Sequence, residues 1–191
     1  MIDGVLPEIV SRRALRALSD REIPNEVLVR LAQAATLAPS CYNSQPWRFV
    51  FVTSGELRRR VHDATIGGNY WAERAPCYVV AATYLELDCR LDLERDYALF
   101  DTGLAVQNLL LQATREGVIA HPIAGFDEAA LKRALEIPER YIAIAVVVLG
   151  YPGDENGHLS AAHRRAEKAP RERHAVSEVA WFNRWGGTEG E

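Results

Sequence analysis

The sequence predicts a mixed α/β domain built on a small central sheet. Three observations carry this reading: a chain of 191 residues, four short runs with strand character, and helical apolar spacings between them. Residues 8–18 read as a short helix with Ile9, Val10, Leu15 and Leu18 near one side. Residues 24–37 read as a second, with Pro24 in its first turn, Val27, Leu28, Leu31, Ala34 and Ala35 at helical spacing, and Pro39 beyond its end. Trp47–Thr53 alternates Trp, Phe, Phe on one face and predicts a strand. Ser54 caps a helix over 55–64, and Cys77–Tyr84 is a second strand. Asp96–Glu116 is the longest helix, closed by Gly117. Its Leu99, Phe100, Leu104, Val106, Leu109, Leu110 and Leu111 cover most of its circumference, which predicts burial in a core or at a subunit interface. Val118–Ala120 is a short strand, Asp127 caps a helix through Leu135, and Tyr141–Leu149 is a buried strand. Residues 150–175 are polar and read as an extended arm or loop within a single domain spanning 1–191.

Composition narrows the function. The chain is 48% hydrophobic and 25% charged, which excludes disordered, collagenous and coiled-coil classes. A net charge of −4 argues against a general nucleic-acid binder. Of 22 basic residues only Lys132 and Lys168 are lysine. Base composition accounts for most of that skew, although arginine is also the better bidentate partner for phosphate. Three cysteines, Cys41, Cys77 and Cys89, with no CxxC argue against a disulfide framework. Met1–Val10 lacks a long apolar run, and no stretch matches a bilayer span, so the expected setting is reducing and cytoplasmic.

Several chemistries lack their signals. GxGxxG, GxxxxGK[ST] and GxSxG are absent. His158 and His163 have no ligand company at metal spacing, so no metal is expected. Cys41 has no base named beside it. Four segments remain. Ser11–Arg16 would place Arg12 and Arg16 on one helical face, where an anion would relieve their repulsion. Ala38–Trp47 is a rigid polar loop with amides suited to a planar heterocycle. His121–Asp127 ends a strand with Pro122 and Gly125, where backbone can approach a ligand. Lys168–Arg173 is a second basic cluster. Each segment alone is also explained blandly, as a solvated face, a connection, a capped turn or a tail.

In this order and spacing the segments resemble the FMN-dependent nitroreductase family, over about Val10–Gly186. The residues carrying the resemblance are Arg12-Arg13-Ala14-Leu15-Arg16, Pro39-Ser40, Asn43-Ser44-Gln45-Pro46-Trp47, Gly68-Asn69-Tyr70, Asp101–Leu111, Pro122–Phe126, Val148–Pro152 and Arg171-Glu172-Arg173. It implies an α+β fold with a central, mostly antiparallel sheet flanked by helices. It also implies an obligate homodimer with shared FMN sites and the long buried helix at the interface. Arg12, Arg13 and Arg173, helped by Arg171, would hold the FMN phosphate, and Arg16 would face the pyrimidine edge. Ser40, Asn43 and Gln45 would come from the partner subunit or line the ring, beside Pro39. Pro122 and Ile123 would pack near one face of the ring, with Ala124 and Gly125 at N5. Tyr70 and Trp71 would face substrate. The implied reaction is ping-pong: NADPH or NADH gives hydride to the flavin, and a nitroaromatic, quinone or similar acceptor takes it, with no obligatory catalytic side chain. The sequence leaves open dehalogenation, flavin fragmentation or substrate dehydrogenation on the same scaffold, and a flavin- or ligand-binding module without turnover. Ala14 stands where the family often has Ser, and Ala124 where some members carry Glu, so substrate preference stays open.

Overall fold

A computed structural model describes residues 4–154 and 158–187. The helices are α1 (Pro7–Ser11), α2 (Asn25–Thr36), α3 (Gly55–Asp63), α4 (Tyr97–Arg115), α5 (Glu128–Leu135), α6 (Ala161–Lys168) and α7 (Val176–Val179). The strands are β1 (Arg48–Val52), β2 (Cys77–Thr83), β3 (Arg90–Leu91), β4 (Arg95–Asp96), β5 (Ile119–Ile123) and β6 (Ile142–Gly150). Four strands form one sheet in the order β1-β2-β6-β5, antiparallel throughout, and β3 and β4 form a small separate hairpin.

The sheet is packed on both faces. On one side Val52, Tyr78, Val80, Val146 and Val148 meet Val61 of α3, Leu131 of α5 and Trp71. On the other side Trp47, Val79, Val147 and Leu149 meet Leu31 and Ala35 of α2 and Ala105, Leu109 and Ala113 of α4. Alternation along each strand sends neighbouring residues to opposite cores, which is why β2 is buried at every position. Gly117 adopts φ +70° after α4, and Val118 N–H reaches back to Ala113 O at 2.8 Å, closing the helix. No helix among the described residues is long and apolar enough to cross a membrane.

Four sequence expectations need correction. The first helix stops at Ser11 rather than continuing to 18, because Arg12 is extended at φ −56° and ψ 126°. The N–H groups of Arg16 and Ala17 go to a carboxylate instead of a helical ladder. Arg12 and Arg16 therefore share no helical face. The third predicted strand runs on to Ile123, since Pro122 lies in edge strand β5, where its missing N–H is tolerated. Within the expected arm at 150–175, Ser160 accepts the N–H of His163 and starts α6. Finally, Cys41 and Cys89 form a disulfide. They lie 48 residues apart in sequence, and only the fold brings their Cα atoms to 6.1 Å. Cys77 is the free one, and burial pushes its thiol up to about 12.

The long helix is buried on one side only within a single chain. Ala98, Ala105, Leu109 and Ala113 are enclosed, whereas Leu99 is 46% and Phe100 61% exposed. Truncating Leu109, fully enclosed between α4 and the sheet, removes packing from the second core. Leu109→Ala should cost about 2–5 kcal/mol, read as a lower denaturant midpoint with an unchanged slope.

Candidate cofactor site

The N-terminal segment after α1 crosses the end of β6 before it reaches α2. Ser19 N–H donates to Tyr151 O at 2.9 Å and Gly153 N–H to Ala17 O at 2.8 Å. A Cβ at Gly153 would lie 2.5 Å from Leu18 C and Ser19 N, so only glycine permits this crossing. The crossing sets residues 12–17 along the body of the protein. From the other end of the chain, α6 supplies Glu167, which is 7% exposed. Its carboxylate accepts Arg16 N–H at 3.0 and 3.1 Å and Ala17 N–H at 3.3 Å, with the Arg16 guanidinium at 3.8 Å.

The two basic clusters meet at this place. Arg171 Nη1 donates to Arg12 O at 2.9 Å and to Ile9 O at 3.3 Å. Arg13 Nη2 donates to Ala169 O at 2.8 Å, at the C-terminal end of α6. Arg12 is held below its usual range by burial, and then by the positive charges of Arg171 and Arg173. Arg171 and Arg173 thus bring positive charge to Arg12 from the far end of the chain. Such a cluster is stabilised by an anion with several acceptor oxygens.

Beside it, His121 of β5 places Nδ1 3.1 Å from Leu15 O. A carbonyl only accepts, so the neutral ring carries its proton on Nδ1. His121 packs on Trp71 at 4.6 Å between centroids, and Arg16 Cζ lies 6.0 Å from the Trp71 ring. Burial above all, with Arg16, Arg12 and His163 adding, lowers His121 to about 4, against the opposing bond to Leu15. Past His121, Pro122, Ala124 and Gly125 are exposed while Ile123 points into the core. Gly125 O accepts Ile66 N–H at 2.8 Å and Asn69 Nδ2–H at 3.3 Å, which binds the 66–69 loop to this rim.

The structure therefore unites Arg12, Arg13, Ala14, Arg16, Pro122–Gly125, Arg171 and Arg173 around one region. Tyr70 is 43% exposed there, with its hydroxyl accepting Ser160 N–H at 2.7 Å and its ring stacked on His163. Trp71 is a correction: at 1% exposure it belongs to the core and supports the region from beneath, so it offers no surface to a substrate. The loop with Pro39, Ser40, Asn43 and Gln45 is placed elsewhere. Its contacts run to Asp101, where Cys41 N–H donates at 2.7 Å, to Cys89 through the disulfide, and to Thr83, which donates to Pro46 O at 2.9 Å.

Sequence reasoning missed Glu167 and the Tyr70–Ser160–His163 contacts, all of which depend on α6. The start signal was present: Ser160 precedes a run of good helix formers that ends before Pro170.

A family model described as the nitroreductase family matches residues 9–69 and 67–151. A protein of Archaeoglobus fulgidus that carries the name NADH dehydrogenase/NAD(P)H nitroreductase is 33% identical over 168 residues, 85% of this chain and 94% of its own length. An NADH dehydrogenase of Thermus thermophilus is 26% identical over 178 residues, covering 76% of this chain and 85% of that one. A crystal structure of an oxidoreductase containing FMN superposes with a TM-score of 0.85 at 28% identity, covering 98% of this chain and 96% of that one.

Because His121 is neutral in the fold and protonates more readily when unfolded, stability should fall as pH drops from 6.5 towards 4. The full loss should be about 3 kcal/mol. Histidine NMR should place this ring well below its ordinary range, and denaturation of His121→Gln should show a flatter acid limb. With the family model, the relative from Archaeoglobus fulgidus and the shared fold in agreement, the chain belongs to the nitroreductase family.

Proposed function

We propose that the chain is an FMN-dependent NAD(P)H oxidoreductase of nitroreductase type. One observation carries this reading: Arg12, Arg171 and Arg173 come together from opposite ends of the chain, with Arg171 donating to Arg12 O and both partners adding positive charge at Arg12, beside the exposed Ala124 and Gly125. That donor set fits a phosphate monoester attached to a planar ring. The names of relatives agree with it, among them an FMN reductase of Bacillus subtilis.

In this reading Arg12, Arg171 and Arg173 hold the phosphate. Arg13 braces the end of α6, and the backbone at Ala14 lies alongside. Arg16, fixed by Glu167, brings positive charge to the pyrimidine edge and so favours electron acceptance there. Pro122 packs on one face of the ring, with Ile123 anchoring the strand, and Ala124 and Gly125 offer backbone groups to its central edge. Bound FMN supplies the chemistry of accepting hydride from NADPH or NADH and passing it on to a nitroaromatic, quinone or related acceptor in a ping-pong sequence. Tyr70 borders the space left for that acceptor.

The loop with Pro39, Ser40, Asn43 and Gln45 is read as reaching the site of a second copy of the chain. The exposed Leu99 and Phe100 on α4 support a homodimer, as do Val176, Val179, Phe182 and Trp185 on the C-terminal arm. A dimer should elute at about twice 21.3 kDa.

The purified protein should be yellow and release FMN rather than FAD. Anaerobic NADPH or NADH should bleach it, and quinones or nitroaromatics should restore the colour. A colourless protein that fails to take up added FMN would sink the reading. Arg12→Ala combined with Arg173→Ala should weaken FMN binding by about 100-fold or more in a fluorescence titration, since two charge-assisted contacts are lost. Undiminished affinity would remove the phosphate assignment.

A further inference from the structure

The Cys41–Cys89 disulfide stands apart from the arginine region and joins two irregular segments. One is the loop that follows α2. Within it Tyr42, Asn43 and Gln45 hold positive φ of 47°, 59° and 49° without being glycine. Such backbone persists only where its surroundings hold it. Three restraints do so: Gln45 N–H donates to Ser40 Oγ at 3.0 Å, Cys41 N–H donates to Asp101 Oδ2 at 2.7 Å, and the disulfide ties the loop to Cys89. The other segment enters the β3–β4 hairpin, where Leu93 and Glu94 also have positive φ.

Two acids accompany the disulfide. A carboxylate oxygen of Asp88 and both sulfurs lie within 4.8 Å of one another. Asp88 Oδ1 accepts Cys89 N–H at 2.8 Å, while its buried Oδ2 takes no hydrogen bond from the protein. Asp101 is 2% exposed. Burial, then the neighbouring Asp88, lifts the Asp101 carboxyl above the ordinary range, opposed by the Cys41 N–H. Cys41, Asp88 and Cys89 are only half-buried, so an attacking thiol can approach.

We propose that Cys41–Cys89 is a second redox centre of the chain, a disulfide exchanged by dithiols, and that its reduction loosens the 40–45 loop. The thiolate of a dithiol attacks one sulfur and the Cys41–Cys89 bond breaks. The departing sulfur leaves as a thiolate and takes a proton from water. The second thiol of the reductant then displaces the first sulfur and closes the reductant's own disulfide. Two electrons pass to the cysteine pair, and the reductant's two thiol protons are balanced by two protons on the cysteine sulfurs. Ser40, Asn43 and Gln45 lose their fixed geometry as a result. Resting on the FMN reading, reduction also weakens the cofactor.

The test uses the purified chain and dithiothreitol as the dithiol. Denatured without reductant, the protein should take up iodoacetamide at one cysteine, and after dithiothreitol at three. Native protein should be cleaved faster by chymotrypsin after Tyr42, which is 93% exposed, once reduced. FMN affinity should fall by about tenfold on reduction, the scale expected when a binding loop must be ordered again. Cys89→Ser should show the weaker affinity from the start and no response to dithiothreitol, with Cys41→Ser as a second variant should the first fail to fold. Three alkylated cysteines before reduction would overturn the proposal, as would unchanged cleavage and FMN affinity after it. A parent protein that binds no FMN overturns the functional reading instead, while alkylation and cleavage still decide the disulfide.

Discussion

One buried carboxylate organises the cofactor region. Glu167 takes the backbone N–H groups of Arg16 and Ala17, which an N-terminal helix would otherwise have used internally. A charged acceptor out of water holds such donors more tightly than a neutral carbonyl does. The segment carrying Arg12, Arg13 and Arg16 is therefore stretched along the protein instead of coiled away from it. The same contact fixes α6, and α6 in turn delivers Arg171 and Arg173. Three guanidinium groups that repel one another are kept close by backbone and carboxylate contacts made elsewhere. The fold thus holds like charges close at Arg12.

His121 and Trp71 form the floor of this arrangement. The imidazole is neutral because it is enclosed and because cations surround it. A neutral ring can pack on indole and still satisfy the Leu15 carbonyl. Protonating it would add a further positive charge beside Arg16 and Arg12. The predicted acid sensitivity and the proposed anion site therefore draw on the same arginines, Arg12 and Arg16.

Much of this was legible in the sequence. β1, β2 and β6 showed themselves through alternation or continuous apolar runs, and α5 through Asp127, whose side chain does accept Ala130 N–H. The basic clusters at both ends were visible as clusters, but the reason that they meet was not. α1 ends early because a tertiary partner outbids local helical periodicity, and no local pattern around residues 12–18 reports Glu167. The Cys41–Cys89 pairing was hidden because spacing along the chain says little about two loops joined by a sheet. Trp71 looked like a surface aromatic next to Tyr70, yet the short helical turn there sends adjacent side chains in opposite directions, one outward and one into the core.

Pro122 has a consequence for the sheet itself. It occupies the outer strand of the sheet, and its ring nitrogen cannot donate to another strand. An edge of this kind is open to pairing with a strand of another molecule. The proline breaks the row of donors at that border. Lateral growth of the sheet from one molecule to the next is thereby disfavoured.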